Sequence, residues 1–341
     1  MMKVWQILTA AVAAGALALG GCGDNSGGGG TATTGTAGGG TAGGKEIIIG
    51  VVAKSVSNPV FQAAHAGARD AANELGGKYN ATITINIQTP PDEDAAKQAE
   101  AIDMLVRQGA KGIAVSCSNA NTLKPAIDRA VDKGVPVMCF DSDAPDSKRF
   151  CYYGTDDATC GVEVVKLLAA EMGDKGTVAI LGGNESAPNL RTRVKAAQDE
   201  LKKHPGMKEL ASGPVYHEET PAKAAEKLQE TQRANPDIAG WAMIGGWPLF
   251  TRNALPWQPG AVKVVSVDAL PDQISYIQSG HVQVLLAQDC YGWGHKSVEI
   301  LMEKIVNNKD PESVKIYDPL THVTKDNAAE FSKKWDKWLS K

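Results

Sequence analysis

The sequence predicts an α/β protein built on doubly wound parallel sheets, and three observations carry that expectation. Short apolar runs alternate with helical patterns along almost the whole body of the chain. Several runs, Val135–Phe140 among them, are apolar from end to end, which fits strands covered on both faces. The body from residue 46 onward is about 295 residues long, too much for one typical core, and is expected to form two lobes.

Taken in order, the strand-like runs are Ile47–Val52, Ile83–Gln88, Gly112–Ser116, Val135–Phe140, Phe150–Tyr153, Thr177–Leu181, Trp241–Ile244, Val262–Val267 and Val282–Ala287. Between the first two, small and apolar residues recur at helical spacing over Phe61–Leu75, and Gly76-Gly77 are expected to stop that helix. Pro59 suits a first helical turn, with Asn58 before it as a helix start or a ligand contact. Over Asp92–Arg107, acidic residues fill the first turn, Ile102, Leu105 and Val106 line one face, and Gly109 follows the end.

The start of the chain has a different character. Met1-Met2-Lys3 is a short basic segment, Val4–Leu19 is apolar and uncharged, and Leu19-Gly20-Gly21-Cys22 follows. That order describes a secretory signal over residues 1–21. Its ending resembles the bacterial lipobox, which implies a lipid on Cys22. Residues 22–45 are mostly Gly, Thr and Ala, a flexible tether. "GTAGGKE" (40–46) ends like a phosphate loop, but Glu46 stands where Ser or Thr is needed and a strand follows instead of a helix.

Without Lys3 the mature chain carries 34 basic and 39 acidic residues, a net charge of −5, and no basic run. Nucleic-acid binding is not expected. Cys117, Cys139, Cys151, Cys160 and Cys290 are an odd set beside Cys22, and their spacing fits no zinc pattern. Cys139 and Cys151 flank one connection and are candidates for a bridge, with buried free thiols as the alternative.

Open parallel sheets place ligands beyond the carboxyl ends of their strands. The segments there are polar: Ser116, Asp141, Arg191 after Gly182-Gly183, Gly245-Gly246-Trp247, Asp268 and Gln288. Carboxylates and guanidinium groups hydrogen-bond vicinal hydroxyls in pairs, and aromatic faces cover the C–H face of a sugar ring. Each residue also has a plainer role, as a helix cap, a surface charge or a core aromatic.

From residue 46 to about 325 the chain resembles the type I periplasmic binding proteins. It is similar to the ribose- and galactose-binding proteins of ABC importers and to the effector domain of lac-type repressors. The segments are "IGVVAKSVSNPVFQAAHAGARDAANELG", "QAEAIDMLVRQGAKGIAVSCSN", "AIDRAVDKGVPVMCFDSDAP", "YYGTDDATCG", "LRTRVKAAQDEL", "VVSVDALPDQISYIQSG" and "AQDCYGWG". The resemblance implies two Rossmann-like lobes, 46–155 plus 289–320 and 156–288 plus 321–341. They are joined by a three-segment hinge near Thr155-Asp156, Gln288-Asp289 and Leu320-Thr321, with the ligand between them. It implies ligand contacts at Asn58, Phe61, Ser116, Asp141, Arg191, Glu219, Asp268 and Gln288. Three positions depart from the ribose pattern: Ser142 replaces an Arg, Val60 an aromatic, and Gly245-Gly246-Trp247 an Asn-Asp. Trp247 is expected to supply a new stacking face, with the glycines making room, for a sugar other than ribose in its usual pose.

The function implied is a monomeric, lipid-anchored cell-envelope protein that hands a small neutral sugar to the permease of an ABC importer. It needs no metal and no cofactor. The alternative is a sensing protein that presents an autoinducer-like furanose, polyol or nucleoside to a chemoreceptor or histidine kinase. A glycoside-processing enzyme would use a carboxylate pair such as Asp141 and Asp268. A repressor would carry a basic helix-turn-helix before residue 46, where a signal and tether are read instead.

Overall fold

The structure, a computed structural model, describes residues 45–339. The expected signal, Cys22 and the expected tether up to residue 44 lie outside the described residues, and Lys45, read as the end of the tether, begins the first strand. The first half of the body runs β1 (Lys45–Val52), α1 (Val60–Tyr79), β2 (Ala81–Ile87), α2 (Ala95–Arg107), β3 (Gly112–Val115), α3 (Ala120–Asp132), β4 (Val137–Phe140) and β5 (Cys151–Gly154). The second runs α4 (Asp157–Met172), β6 (Gly176–Gly183), α5 (Pro188–Leu201), β7 (Met207–Glu209), β8 (Val215–Tyr216), α6 (Pro221–Ala234), β9 (Ile238–Met243), a 3₁₀ turn (Trp247–Phe250), β10 (Lys263–Val267), α7 (Pro271–Ser279) and β11 (Val284–Ala287). Then come α8 (Cys290–Asn307), β12 (Lys315–Tyr317), β13 (Thr321–Val323) and α9 (Ala328–Leu339).

The strands form two sheets and two lobes. The first has the order β12-β5-β4-β3-β1-β2 and is parallel throughout. The second has the order β13-β11-β10-β9-β6-β7, with β8 also on β6, and only β13 runs antiparallel. In each sheet the first strand of the lobe sends its successor to one side and the next strand to the other, so a topological switch point lies at β1/β3 and again at β6/β9. The chain passes between the sheets after β5, after β11 and between β12 and β13. Thr155 Oγ1 donates to Gln288 Oε1 (2.9 Å) and Tyr153 donates its hydroxyl to Asp289 Oδ2 (3.0 Å), which ties the first two passages together.

Helices pack closely because small residues line their crossings. An added Cβ on Gly294 of α8 would lie 1.7 Å from the Ala64 carbonyl of α1, and one on Gly67 would lie 2.1 Å from the Tyr291 carbonyl. In the other lobe, Gly161 of α4 meets the Arg193 carbonyl of α5 at 2.2 Å in the same way.

Three expectations need correction. α1 does not stop at Gly76-Gly77 but runs to Tyr79 and ends at Asn80, whose φ of 46° is left-handed. Tyr79 packs on the core and donates to Glu303 of α8, and such contacts outweigh glycine's cost of roughly 1 kcal/mol in a helix. α2 begins at Ala95, and Asp94 caps it from outside by accepting from the Lys97 amide (3.0 Å). The five described cysteines are all free and buried, and Cys139 touches Cys117 (3.9 Å between sulfurs) rather than Cys151.

Candidate functional site

The carboxyl ends of β1, β4, β9, β10 and β11 converge where the two lobes face each other. Both sheets end a central strand on an aspartate in the left-handed region, Asp141 after β4 (φ 55°) and Asp268 after β10 (φ 69°). Aspartate tolerates that backbone better than a β-branched residue does. Each kink leaves its carboxylate buried in the wall of one chamber, 5% exposed. Asn58, Phe61, Glu219, Trp247 and Gln288 line the same chamber.

Asp141 accepts from Ser116 Oγ (2.6 Å) and from Asn189 Nδ2 of the opposite lobe (3.3 Å). Ser116 therefore stands behind Asp141 and orients it, outside the chamber wall itself. Asp268 accepts from Gln288 Nε2 (2.7 Å) and the Gly246 amide (3.2 Å), while burial holds its carboxyl above the usual range. Asn58 accepts the Val60 amide on Oδ1 (3.3 Å), so it stabilises the start of α1 as well as lining the chamber. Trp247 fits because Gly183 and Gly245 lack side chains: a Cβ on either would strike the indole, at 2.6 and 2.2 Å. Gly246 instead makes room for Gln273.

Arg191 is exposed, bonds only the Ser186 carbonyl (3.1 Å) and faces an outer groove on α5. The buried arginine is Arg193. It donates from Nε to Asp157 (2.7 Å), from Nη1 to the Ile244 carbonyl (3.2 Å) and from Nη2 to Gln288 Oε1 (2.7 Å). Two residues on a helix are about 200° apart, so the two arginines face opposite ways. The signal was present in the sequence, since Leu190, Val194 and Ala197 share the buried face with Arg193. Burial raises Asp157 to about 6 against the pull of Arg193.

Lys54, Asn189, Arg193 and Trp293 also line the chamber and were not singled out from the sequence. Lys54 is 3% exposed and donates to Asn189 Oδ1 (3.3 Å), with Glu219 Oε1 at 3.8 Å. Burial opposes its charge, but Glu219, Asp141 and Glu93 together outweigh that and raise its pKa. Burial also raises Glu219, against the attraction of Lys54. Trp293 packs against Phe61 and Phe140 (ring centroids 6.1 and 6.5 Å). In this conformation the inner chamber is nearly shut, with about 20 Å³ of space, room for roughly one water molecule. Among the described residues no cluster of His, Cys, Asp and Glu can hold a metal ion.

Buried carboxylates, amides, a lysine and an arginine, interleaved with aromatic rings, gather at strand ends and on the helices α1, α5 and α8 where the two lobes face each other. The sequence profile of the periplasmic binding protein domain matches residues 49–310. The chain belongs to the periplasmic binding protein family. That family consists of binding proteins, not enzymes. The chain is 26% identical over 194 residues to the D-apiose import binding protein of Actinobacillus succinogenes, covering 57% of this chain and 60% of that protein. It is 24% identical over 273 residues to the ribose import binding protein of Haemophilus influenzae, covering 79% and 90%. With the xylitol-binding protein of Mycolicibacterium smegmatis it shares 26% over 193 residues, 55% of this chain and 54% of that one. The chain thus spans a little over half the length of the D-apiose and xylitol proteins. The fold is similar to an ABC transporter solute-binding protein from Burkholderia graminis solved with D-arabinose, with a TM-score of 0.75, 26% identity and coverage of 83% and 97%.

Proposed function

We propose that this chain captures a small neutral sugar or polyol between its lobes and delivers it to an ABC importer from the outer side of a membrane. The observation that carries the reading is the inner chamber, in which Asp141 and Lys54 of one lobe face Asp268, Arg193 and Asn189 of the other between aromatic walls. A polyol presents hydroxyls that both donate and accept, so one ligand can satisfy carboxylates and cations together. The 3.8 Å gap between Lys54 and Glu219 suits a hydroxyl that accepts from one and donates to the other. Relatives named for D-apiose, xylitol and ribose support the class of ligand. The lobes, bounded at the three passages, close on the sugar as bodies.

The test is a thermal-shift screen with D-apiose, xylitol, D-ribose, D-arabinose, D-galactose and D-glucose, followed by calorimetric titration. Binding to the native state raises the melting temperature by mass action. A shift with at least one of them is expected, and a flat response to all at millimolar concentration would sink the reading. Anchoring through Cys22 is checked by fatty-acid labelling of wild type and Cys22→Ala, where equal labelling of both would refute it.

A further inference from the structure

The inner chamber is not the whole of the cleft. Across Glu219, which forms part of both walls, lies an outer chamber of about 630 Å³ between the loops after β1 and β2 and those after β6 and β8. Its wall contains the carboxylates of Asp92, Glu93, Glu185, Glu218 and Glu219, and no lysine or arginine. Three atoms of this wall are buried without a hydrogen-bond partner: Glu93 Oε1, Glu219 Oε1 and His217 Nε2. Glu219 as a whole is only 8% exposed.

All three are acceptors. The Glu218 carbonyl lies 2.6 Å from His217 Nδ1 and can only accept, so the ring proton sits on Nδ1 and Nε2 offers a lone pair. Burial pushes His217 down to about 4, which keeps the ring neutral. The other oxygen of Glu219 is engaged by the Asn184 backbone, so Oε1 has no hydrogen bond and only Lys54 Nζ of the inner chamber near it, at 3.8 Å. A wall of this kind calls for an occupant that brings donors and positive charge. A hydroxyl brings one donor, whereas an ammonium brings three and is drawn by every carboxylate present. A phosphate or carboxylate there would meet like charge on every side.

We propose that the outer chamber is a subsite for an ammonium group carried on the captured sugar, so that the preferred ligand is an amino sugar or amino polyol. This rests on the sugar-binding reading above and narrows it from a neutral ligand to one that also carries a positive charge. The ring or chain hydroxyls occupy the inner chamber, and the amine reaches past Glu219 toward Glu93 and Glu218.

The experiment is calorimetry on matched probes: D-glucosamine against D-glucose, D-galactosamine against D-galactose, and 1-amino-1-deoxyribitol against ribitol, with D-glucose 6-phosphate as the anionic control. In at least one pair the amine is expected to bind tenfold or more tightly at low salt. That ratio should fall toward one in the Glu93→Gln/Glu218→Gln variant, and the phosphate should not bind. The subsite is overturned, with the sugar reading intact, if neutral sugars bind and no amine binds more tightly than its partner. It is equally overturned if the ratio persists in the variant. If no carbohydrate of either panel binds, both readings fall.

Discussion

At the scale of single residues, the two arginines of α5 make opposite predictions. Arg193 has three of its five N–H donors engaged and lines the chamber, while Arg191 is in water. Arg193→Gln strips Asp157 of its buried partner, which typically costs about 3–5 kcal/mol of stability, and it should also abolish measurable sugar binding. Adding Asp157→Asn should recover much of the stability without the affinity. Arg191→Gln should change stability by less than ~0.5 kcal/mol and leave binding alone. Denaturant melts and titrations of the three variants decide, and weakened binding in Arg191→Gln alone would reverse the assignment. His65 carries a second residue-scale prediction. It is buried on α1, and burial, helped by Arg69, lowers it to about 4. Thr89 accepts the Ala53 amide (3.0 Å), so its hydroxyl proton is free to go to His65 Nε2 (3.2 Å). The unfolded chain takes up this proton near pH 6.5 and the folded one only near 4. Stability from His65 is therefore full above pH 6.5 and lost as pH falls from 6.5 to 4, by about 3 kcal/mol at most. Asp157, raised to about 6, acts in the opposite sense, so the difference between wild type and His65→Gln isolates the histidine. His65→Gln should show a flatter acid limb, and parallel curves for the two proteins would count against it.

At the scale of elements, starts and stops follow local chemistry where a polar side chain supplies the missing partner. Asn119 caps α3 at the Thr122 amide (3.0 Å), Asp156 caps α4 at two amides (3.1 Å each), and Asp289 caps α8 at Gly292 (2.9 Å). The nine main strands were visible as apolar runs. β7, β8, β12 and β13 were not, because each is only two or three residues long and sits at or beside a sheet edge. The helix crossings give a matched prediction. Gly294→Ala forces a methyl into the Ala64 carbonyl and should lower stability by about 1–3 kcal/mol or more. Gly77→Ala, in the same helix pair but with no atom within 4 Å, should raise it by about 0.5–1 kcal/mol. Thermal melts showing the same sign for both would refute the packing account.

At the scale of the whole molecule, an inner chamber of about 20 Å³ means that, on the proposed reading, the lobes must part before a sugar enters. The contacts now closing it are long: Lys54 to Asn189 and Asn189 to Asp141 at 3.3 Å each, and Lys54 to Glu219 at 3.8 Å. Such bonds are weak, so opening is inexpensive and a ligand that replaces them with shorter ones favours the closed form. Small-angle scattering should show a smaller radius of gyration once a sugar identified by the thermal screen is added to saturation. An unchanged radius would argue that the free protein is already closed in solution.

The sequence by itself determined the alternation of strand and helix, the doubly wound class and the strand ends at which a ligand would be met. These follow from hydrophobic periodicity and capping, which act between residues a few positions apart. It also marked Asn58, Phe61, Asp141, Glu219, Trp247, Asp268 and Gln288, which the structure brings around one chamber. Only the tertiary structure decided that Arg193 meets Gln288, that Lys54 and Asn189 bridge the lobes, and that Gly183 as well as Gly245 makes room for Trp247. The physical reason is distance along the chain. Lys54 and Asn189 are 135 positions apart, and Gly183 and Trp247 meet only because β6 and β9 are neighbours in the second sheet. A buried charge is stabilised by partners that the fold alone brings together, so its role was settled by packing and not by its own position in the sequence.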